Sequence, residues 1–460
     1  MPAGSPMILH FNRPVKMALN LERPAKLVKC SAPRSGLFCK MHLTAAWWAA
    51  LASDHDAIAH RAAAYLPQVI GGQAERRGEA MVWIRNAEAM ARRRGYTPRD
   101  DLFRLRSLAV LDESAGRYSE ASADLTQALA IALGEYGPNS AEAGGVHEAL
   151  GRVQRLTGDF PAARGHIDRA LDITRETHGA QHPKLAPVLQ SKAMILGDIG
   201  DKDAADAATR EALMLTERAY GSDNPRLAYM LNDLAVTTCD RGDLVAAEAM
   251  YRRALALRVA ALGREHMLVT TLLQNLGTCL AKEPTRRAEA RALFEETLAI
   301  RERLVGKDHP KVAFPVLGLG DLALEDGHLD DAERLYQRAL VIREKSLGGE
   351  HSRLSFPLAG LAAVALARDR PQDAAPLAER ALRLREKATR HANDLADDRF
   401  LLARALVHDP AQAERAHSLA AQAREGFAAA GPVKAKETAE VNTWMAKHPT
   451  PPPAGTPGPP

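Results

Sequence analysis

The chain has 460 residues and a formal net charge of +4; 46% of the residues are hydrophobic and only 5% are aromatic. A chain of this length exceeds what one compact core organises, so it either splits into domains or grows along one axis. Alanine, leucine, arginine and glutamate dominate, and runs of β-branched residues are scarce. This composition favours helices and argues against a fold built on strands.

The N-terminal region is basic. Its first 40 residues carry seven Lys and Arg side chains and one acid, Glu22. We predict residues 1–72 to be a basic, partly disordered segment with room for a short helix. A basic arm could contact nucleic acid or acidic lipid, but a solvated leader also explains it, so we do not expect a nucleic acid partner. Its most apolar stretch, Leu43–Ala52, is too short for a membrane span, and none is expected.

Between residues 100 and 387 the sequence repeats with a period of 42. One position of every unit holds a small residue, with steps of 42 or 43: Ala109, Gly151, Ala193, Ala235, Gly277, Gly320 and Ala362. A second ladder in the same register runs Ala121, Ala163, Ala205, Ala247, Ala290, Ala332 and Ala374. Small residues let helix axes approach within about 8–10 Å. We therefore predict seven hairpins of antiparallel helices over residues 100–387.

Turn residues fall between the predicted helices in the same register. Glycines that tolerate a left-handed backbone stand where the first helix of a hairpin ends, at Gly116, Gly158, Gly200, Gly242 and Gly327. Each longer loop carries a residue placed to cap the next helix: His182, Asn224, His266, His309 and His351. A metal array is the alternative for this row, but Asn224 interrupts it. We predict no metal site and no cofactor.

The flanking segments continue the pattern weakly. We predict residues 73–99 to be an atypical N-terminal capping hairpin and residues 388–447 to be degenerate C-terminal capping helices. Residues 448–460 are proline-rich and predicted to be disordered. The four cysteines form no dense framework, which favours a reducing, cytoplasmic compartment. Cys239 and Cys279 are expected to be small buried apolar residues.

Two segments, Asp223–Arg258 and Asp308–Arg343, resemble tetratricopeptide repeats of the kinesin-light-chain type, which lengthen a 34-residue hairpin to 42 residues. The resemblance implies an all-α fold, a right-handed superhelical solenoid of antiparallel helix hairpins. It also implies that the first helix of each hairpin lines the concave face, where such repeats bind peptides.

Positions on that face follow from the small-residue ladder. The residues three positions before each small residue of the first ladder are Arg106, Glu148, Gln190, Asn232, Gln274, Leu317 and Ala359. The residues six positions before each small residue of that ladder are Phe103, Gly145, Pro187, Tyr229, Thr271, Phe314 and Phe356. Amide side chains suit a peptide backbone because each supplies a donor and an acceptor. The predicted peptide-binding residues are Arg106, Gln190, Tyr229, Asn232, Gln274, Asn275, Phe314, Leu317 and Phe356.

No catalytic motif with the required context is found, so we predict a non-enzymatic scaffold for protein–protein interaction that holds a peptide segment. The identity of that partner does not follow from the sequence. Two alternatives remain open. The array could be a sensory or regulatory arm that works with a separate kinase or transcription regulator. It could also be a self-assembling structural module, since exposed ends of a repeat array favour oligomerisation.

Overall fold

The computed structural model describes residues 36–52, 56–70, 77–387 and 395–449. Within these ranges the chain forms twenty α-helices and no β-strand. Four short 3-10 turns, Pro284–Arg286, Pro310–Val312, Ser352–Leu354 and Gly431–Lys434, lie between them. The α-helices are α1 (Gly36–Ala52), α2 (Asp56–Ile70), α3 (Arg77–Arg93), α4 (Pro98–Ser114), α5 (Tyr118–Tyr136), α6 (Ala141–Thr157), α7 (Phe160–His178), α8 (Leu185–Ile199), α9 (Lys202–Tyr220), α10 (Leu227–Asp240), α11 (Leu244–Leu262), α12 (Met267–Ala281), α13 (Arg287–Val305), α14 (Ala313–Glu325), α15 (Leu329–Leu347), α16 (Ser355–Ala367), α17 (Pro371–Glu386), α18 (Ala396–Leu406), α19 (Ala413–Ala429) and α20 (Ala435–Lys447).

Helices α4 to α17 form seven consecutive pairs, each with a first and a second helix. The small-residue ladder lies on the first helices, and its alanines are buried, as at Ala109 and Ala362. The alanine ladder of the second helices is buried as well. The prediction of an all-α array of helix hairpins is therefore confirmed. The right-handed superhelix stays a prediction.

The chain divides into two compact units, residues 1–230 and 231–460. Each unit has its own hydrophobic core. In unit 1 the second helices contribute Leu125 and Ile167, and the first helices contribute Val146 and Leu189. In unit 2 the core runs through α14 to α19. No described helix is long and apolar enough to cross a membrane.

In the described residues of the N-terminal part of unit 1, three helices precede the first repeat. Two of them, α1 and α2, lie within residues 1–72, where the sequence predicts a partly disordered segment with room for a short helix. Residues 73–99 hold the single helix α3 where a hairpin is predicted, because Pro98 already begins α4. The Asp100 carboxylate is buried and accepts a hydrogen bond from Arg94, with His60 Nε2 3.1 Å away. This cluster joins α2 and α4.

The loop residues predicted to cap helices make one common side-chain contact at all five positions, but only His266 stands directly before an α-helix. His309 and His351 precede 3-10 turns, and after His182 and Asn224 the helix begins three residues later. The side chain of each accepts a hydrogen bond from the backbone N–H two residues later, over 2.9 Å at Asn224 and 3.1 Å at His309. His182, His266 and His351 make the same contact. The acceptor is Nδ1 in each histidine, so this row is explained by capping.

Cys239 and Cys279 in unit 2 are buried, as expected, but they form a disulfide between α10 and α12. Their burial is as predicted from the sequence, but the bond between them is not. The two positions are not equivalent in the repeat: Cys239 follows its ladder residue by four positions and Cys279 by two. The bond covalently joins the first helices of successive repeats.

Among the described residues of unit 2, three helices, α18 to α20, follow the last repeat. Val441 is fully buried, and the Trp444 ring packs edge-on against Phe400 at a centroid distance of 5.8 Å. The basic arm up to residue 35 and the proline-rich tail from residue 450 lie outside the described residues, so the predictions made for them stay predictions.

Candidate peptide-binding face

We call the surface that carries the nine predicted peptide-binding residues the first-helix face, and we describe it separately in each unit. Arg106, Gln190 and Tyr229 belong to unit 1, and the other six residues belong to unit 2. All nine lie on first helices, as the register predicts.

In unit 2 the face presents two phenylalanine rings from adjacent repeats. Phe314 on α14 is 40% exposed and Phe356 on α16 is 51% exposed. The guanidinium carbon of Arg343 lies 5.1 Å from the Phe314 ring centroid and 5.5 Å from that of Phe356. Since one buried guanidinium contacts both rings, the rings are neighbours and are held by cation–π contacts.

Arg343 belongs to a row of arginines at equivalent positions of the second helices. Arg301 donates from Nη1 to the Lys311 carbonyl at 2.7 Å, and Arg343 makes the equivalent bond to the Arg353 carbonyl. Burial lowers the pKa of Arg301 to about 10, and burial with nearby Arg353 does the same for Arg343. Both groups stay charged at neutral pH, so they place positive charge beneath this face.

Amide side chains of unit 2 are hydrogen-bonded to one another and to this arginine row. The Asn275 amide donates to Asn232 Oδ1 at 2.9 Å, and Asn232 donates to Asp233 at 3.2 Å. Gln274 Oε1 accepts from Arg301 at 2.7 Å. The predicted amides thus lie on the face, but intramolecular bonds already use part of their capacity.

Leu317 differs from its prediction. It is only 8% exposed and packs in the hydrophobic core of its repeat, since it points toward the neighbouring helices. Its side chain therefore forms part of the support beneath the face and offers little surface to a ligand.

In unit 1 the predicted residues lie on three different first helices. Arg106 on α4 and Gln190 on α8 are half-buried, and Tyr229 on α10 is 44% exposed. Tyr229 thus offers a large ring to solvent.

Around Arg106 the structure forms a cavity of about 210 Å³ between α4 and α6, lined also by Glu113, Gly145, Glu148 and Arg152. Arg152 binds Glu113 through two hydrogen bonds of 3.1 and 2.8 Å. Burial lowers the pKa of Arg106 and raises that of Glu148, although these opposite charges attract each other. The cavity is therefore lined by charged groups above an apolar floor.

The arginine row is not among the site residues predicted from the sequence. The sequence does contain a signal for this row, because Arg258, Arg301, Arg343 and Arg385 recur with the repeat period, in steps of 43, 42 and 42 residues. Arg385 lies 4.5 Å from the Phe356 ring centroid and 2.7 Å from the Asp398 carboxylate. What the period could not indicate is which residue each arginine contacts.

Comparisons with known proteins agree with the repeat architecture. A tetratricopeptide repeat model matches residues 142–218, 285–345 and 316–387, and a second such model matches residues 227–266. Among curated proteins no sequence matches this chain.

Among solved structures, the apo form of the quorum sensor NprR from B. thuringiensis has a TM-score of 0.52 at 13% identity. The match covers 75% of this chain and 97% of that one. The apo form of RapI has a TM-score of 0.49 at 14% identity, over 75% and 98%. A protein from Podosopora anserina described as having nearly identical TPR-like repeats of a kinesin light chain has a TM-score of 0.39 at 19% identity, over 44% of this chain and 95% of that one. At these identities a likeness concerns the fold alone. The chain therefore contains tetratricopeptide repeats over the matched residues, and the 42-residue period of its sequence resembles that of the kinesin-light-chain type.

Proposed function

We propose that the protein is a non-enzymatic interaction scaffold that binds a peptide segment on the first-helix face of unit 2. The observation that carries this proposal is the pair of phenylalanines at positions 314 and 356. Both rings are about half exposed, yet they are neighbours fixed over the same buried guanidinium. Rigid, exposed aromatic rings are typical anchors of binding surfaces, because they bury much area at little cost in entropy.

The chemistry of the surroundings indicates what kind of peptide fits. An apolar side chain would pack against Phe314 and Phe356. The positive charge of Arg301 and Arg343 favours an acidic residue nearby. Asn275 donates to Asn232 and still has its carbonyl oxygen as an acceptor for a peptide N–H.

We include the unit 1 residues Arg106, Gln190 and Tyr229 in the proposal as contacts of a peptide in that unit. We also place the protein in the cytoplasm, as its few cysteines suggest. The Cys239–Cys279 disulfide opposes that location, because such bonds persist mainly in oxidising compartments. Both residues are buried, so the location is tested by quenching cells in acid and alkylating free thiols in the denatured protein: labelled Cys239 and Cys279 support it, and protected ones contradict it.

The peptide proposal is tested by selecting a ligand from a random peptide library with the full chain, and then measuring its affinity for variants. We expect Phe314→Ala and Phe356→Ala each to weaken binding by about tenfold or more, the loss typical of a buried anchor. Val341→Ala is the matched control, because Val341 is 54% exposed but lies on a second helix. Equal affinities for all three variants and the unchanged protein would refute the proposal.

A further inference from the structure

We infer that the cavity of unit 1 between α4 and α6 is a binding site for a dipolar group, a carboxylate with an amine about one helical turn away from it. Arg106 would bind the carboxylate and Glu148 the amine. The inference deepens the proposed function for this unit, because a peptide is the source of ligand that it supposes.

The Arg106 and Glu148 charges lie along one face of α6. Gly145 and Glu148 are three residues apart and therefore share one face of α6. The Arg106 guanidinium from α4 lies over Gly145: a Cβ atom there would be 3.2 Å from its Nη2 atom. Glycine thus makes room for the guanidinium one turn, or about 5 Å, before the position of Glu148.

These two charges differ from the others in the cavity in having no direct partner. Arg152 and Glu113 satisfy each other through their two hydrogen bonds. Within the described part of the chain, Arg106 and Glu148 form neither a hydrogen bond nor an ion pair. Partly burying a charged group without such a partner costs free energy. A ligand that forms hydrogen bonds with both groups would offset this cost, which the folded chain alone does not do.

The space in the cavity limits the size of the ligand. A volume of about 210 Å³ corresponds to about seven water molecules in the liquid, at roughly 30 Å³ each. This accommodates one or two side chains, and the apolar contact that Leu125 offers suits their methylene groups. Fixed charges of both signs also disfavour a ligand with only one sign, because it leaves one of the two groups unpaired.

Two sources supply this chemistry, and the experiment distinguishes them. The first is neighbouring Glu and Lys side chains within a peptide, probed with the N-acetylated, C-amidated octapeptide Gly-Gly-Ser-Glu-Lys-Ser-Gly-Gly. The second is the pair of free termini of a very short peptide, probed with glycylglycine. Isothermal titration with the full chain measures the affinity of each probe. Binding of either supports the inference and identifies the source, and binding of neither overturns it.

Charge-deleted peptides make the test specific without altering the protein. Replacing the glutamate or the lysine of the octapeptide by glutamine should weaken binding by about tenfold, because each change leaves one buried charge unpaired. If glycylglycine is the probe that binds, N-acetylation and C-amidation should each have that effect. Equal affinities for a probe and its charge-deleted forms would overturn the inference.

Variants of the chain then locate the site. Arg106→Gln and Glu148→Gln should each reduce the affinity of the bound probe to that of the charge-deleted form. Arg210→Gln and Glu176→Gln remove the same charges from exposed positions of second helices and should change nothing. The double variant Arg106→Gln with Glu148→Gln removes both charges, so neither is left unpaired. It therefore provides a folded protein if a single variant is unstable. If the cavity variants bind the probe normally while the Phe314 and Phe356 variants lose the library peptide, this inference fails and the proposed function stands.

Discussion

Glycines of first helices in unit 2 lie directly against aromatic rings, and this packing predicts a specific destabilisation. A Cβ atom added at Gly360 on α16 would lie 2.4 to 2.6 Å from three carbon atoms of the Tyr336 ring on α15. Ordinary contacts begin at 3.4 Å. The substitution Gly360→Ala therefore forces the ring and the helix apart by about 1 Å.

The size of the effect follows from two opposing contributions. Tyr336 is 1% exposed, and its hydroxyl donates to Asp321 at 2.8 Å, so the ring cannot move aside without losing contacts. Overpacking of this severity costs about 3 kcal/mol. Replacing glycine by alanine inside a helix returns about 1 kcal/mol. We expect a net loss of about 2 kcal/mol in the free energy of unfolding around α15 and α16.

Gly197 on α8 provides the control of opposite sign, because nothing lies within 4 Å of the position of its Cβ. There, alanine should stabilise α8 by up to about 1 kcal/mol. Hydrogen exchange followed by mass spectrometry measures both effects locally, which suits a repeat array whose unfolding need not be two-state. Unchanged protection of α15 and α16 in Gly360→Ala would refute the packing argument. A Tyr336→Leu background should remove most of the cost, since it removes the clashing ring atoms.

Other predictions concern caps, the disulfide and a histidine pair. His309→Ala should lower stability by about 1 kcal/mol in urea unfolding, and His309→Asn should be nearly neutral, because an asparagine caps the equivalent loop. Under oxidising conditions Cys239→Ser with Cys279→Ser should cost about 3 to 4 kcal/mol, as expected for a closed loop spanning 40 residues; equal stability of the variant and the oxidised protein would show that the bond does not form. Burial and the neighbouring His166, whose Nδ1 lies 2.8 Å from that of His147, lower the pKa of His147 to about 4. In the unfolded chain His147 protonates near pH 6.5. The stability that the neutral His147 contributes should therefore be fully present above about pH 6.5 and be lost as the pH falls from about 6.5 to 4. A nuclear magnetic resonance titration of His147 with a midpoint near 6.5 would contradict this.

Features that depend on one repeat could be predicted from the sequence. The ladder residues, the turn glycines and the loop residues follow from local helix geometry, and the structure confirms the hairpins and shows the side-chain hydrogen bond at each of the five loop residues. Features that depend on two repeats could not. The fit of Tyr336 against Gly360 joins different repeats, and the period alone does not indicate which ring lies against which glycine. The disulfide joins positions that are not equivalent in the repeat, so no ladder contains both cysteines.

On the first-helix face too, the repeat register predicts some features correctly and misses those that depend on packing between helices. The register placed Phe314 and Phe356 on first helices, where they are exposed, but it placed the buried Leu317 there as well. Burial of an apolar residue depends on the helices that pack around it. A leucine and a phenylalanine three residues apart on one helix can therefore have opposite roles.

The arginine row explains why repeats of one design present different surfaces to a ligand. In the fifth repeat the residue three positions before the small rung is Gln274, and Arg301 bonds to it. In the sixth and seventh repeats that position holds Leu317 and Ala359, which cannot accept a hydrogen bond. Arg343 is covered by aromatic rings instead. Six positions before the small residue, Thr271 of the fifth repeat is replaced by Phe314 and Phe356. Changes at these two positions beside a recurring arginine thus convert a polar stretch of the face into an aromatic one, so specificity should follow the residues that break the period.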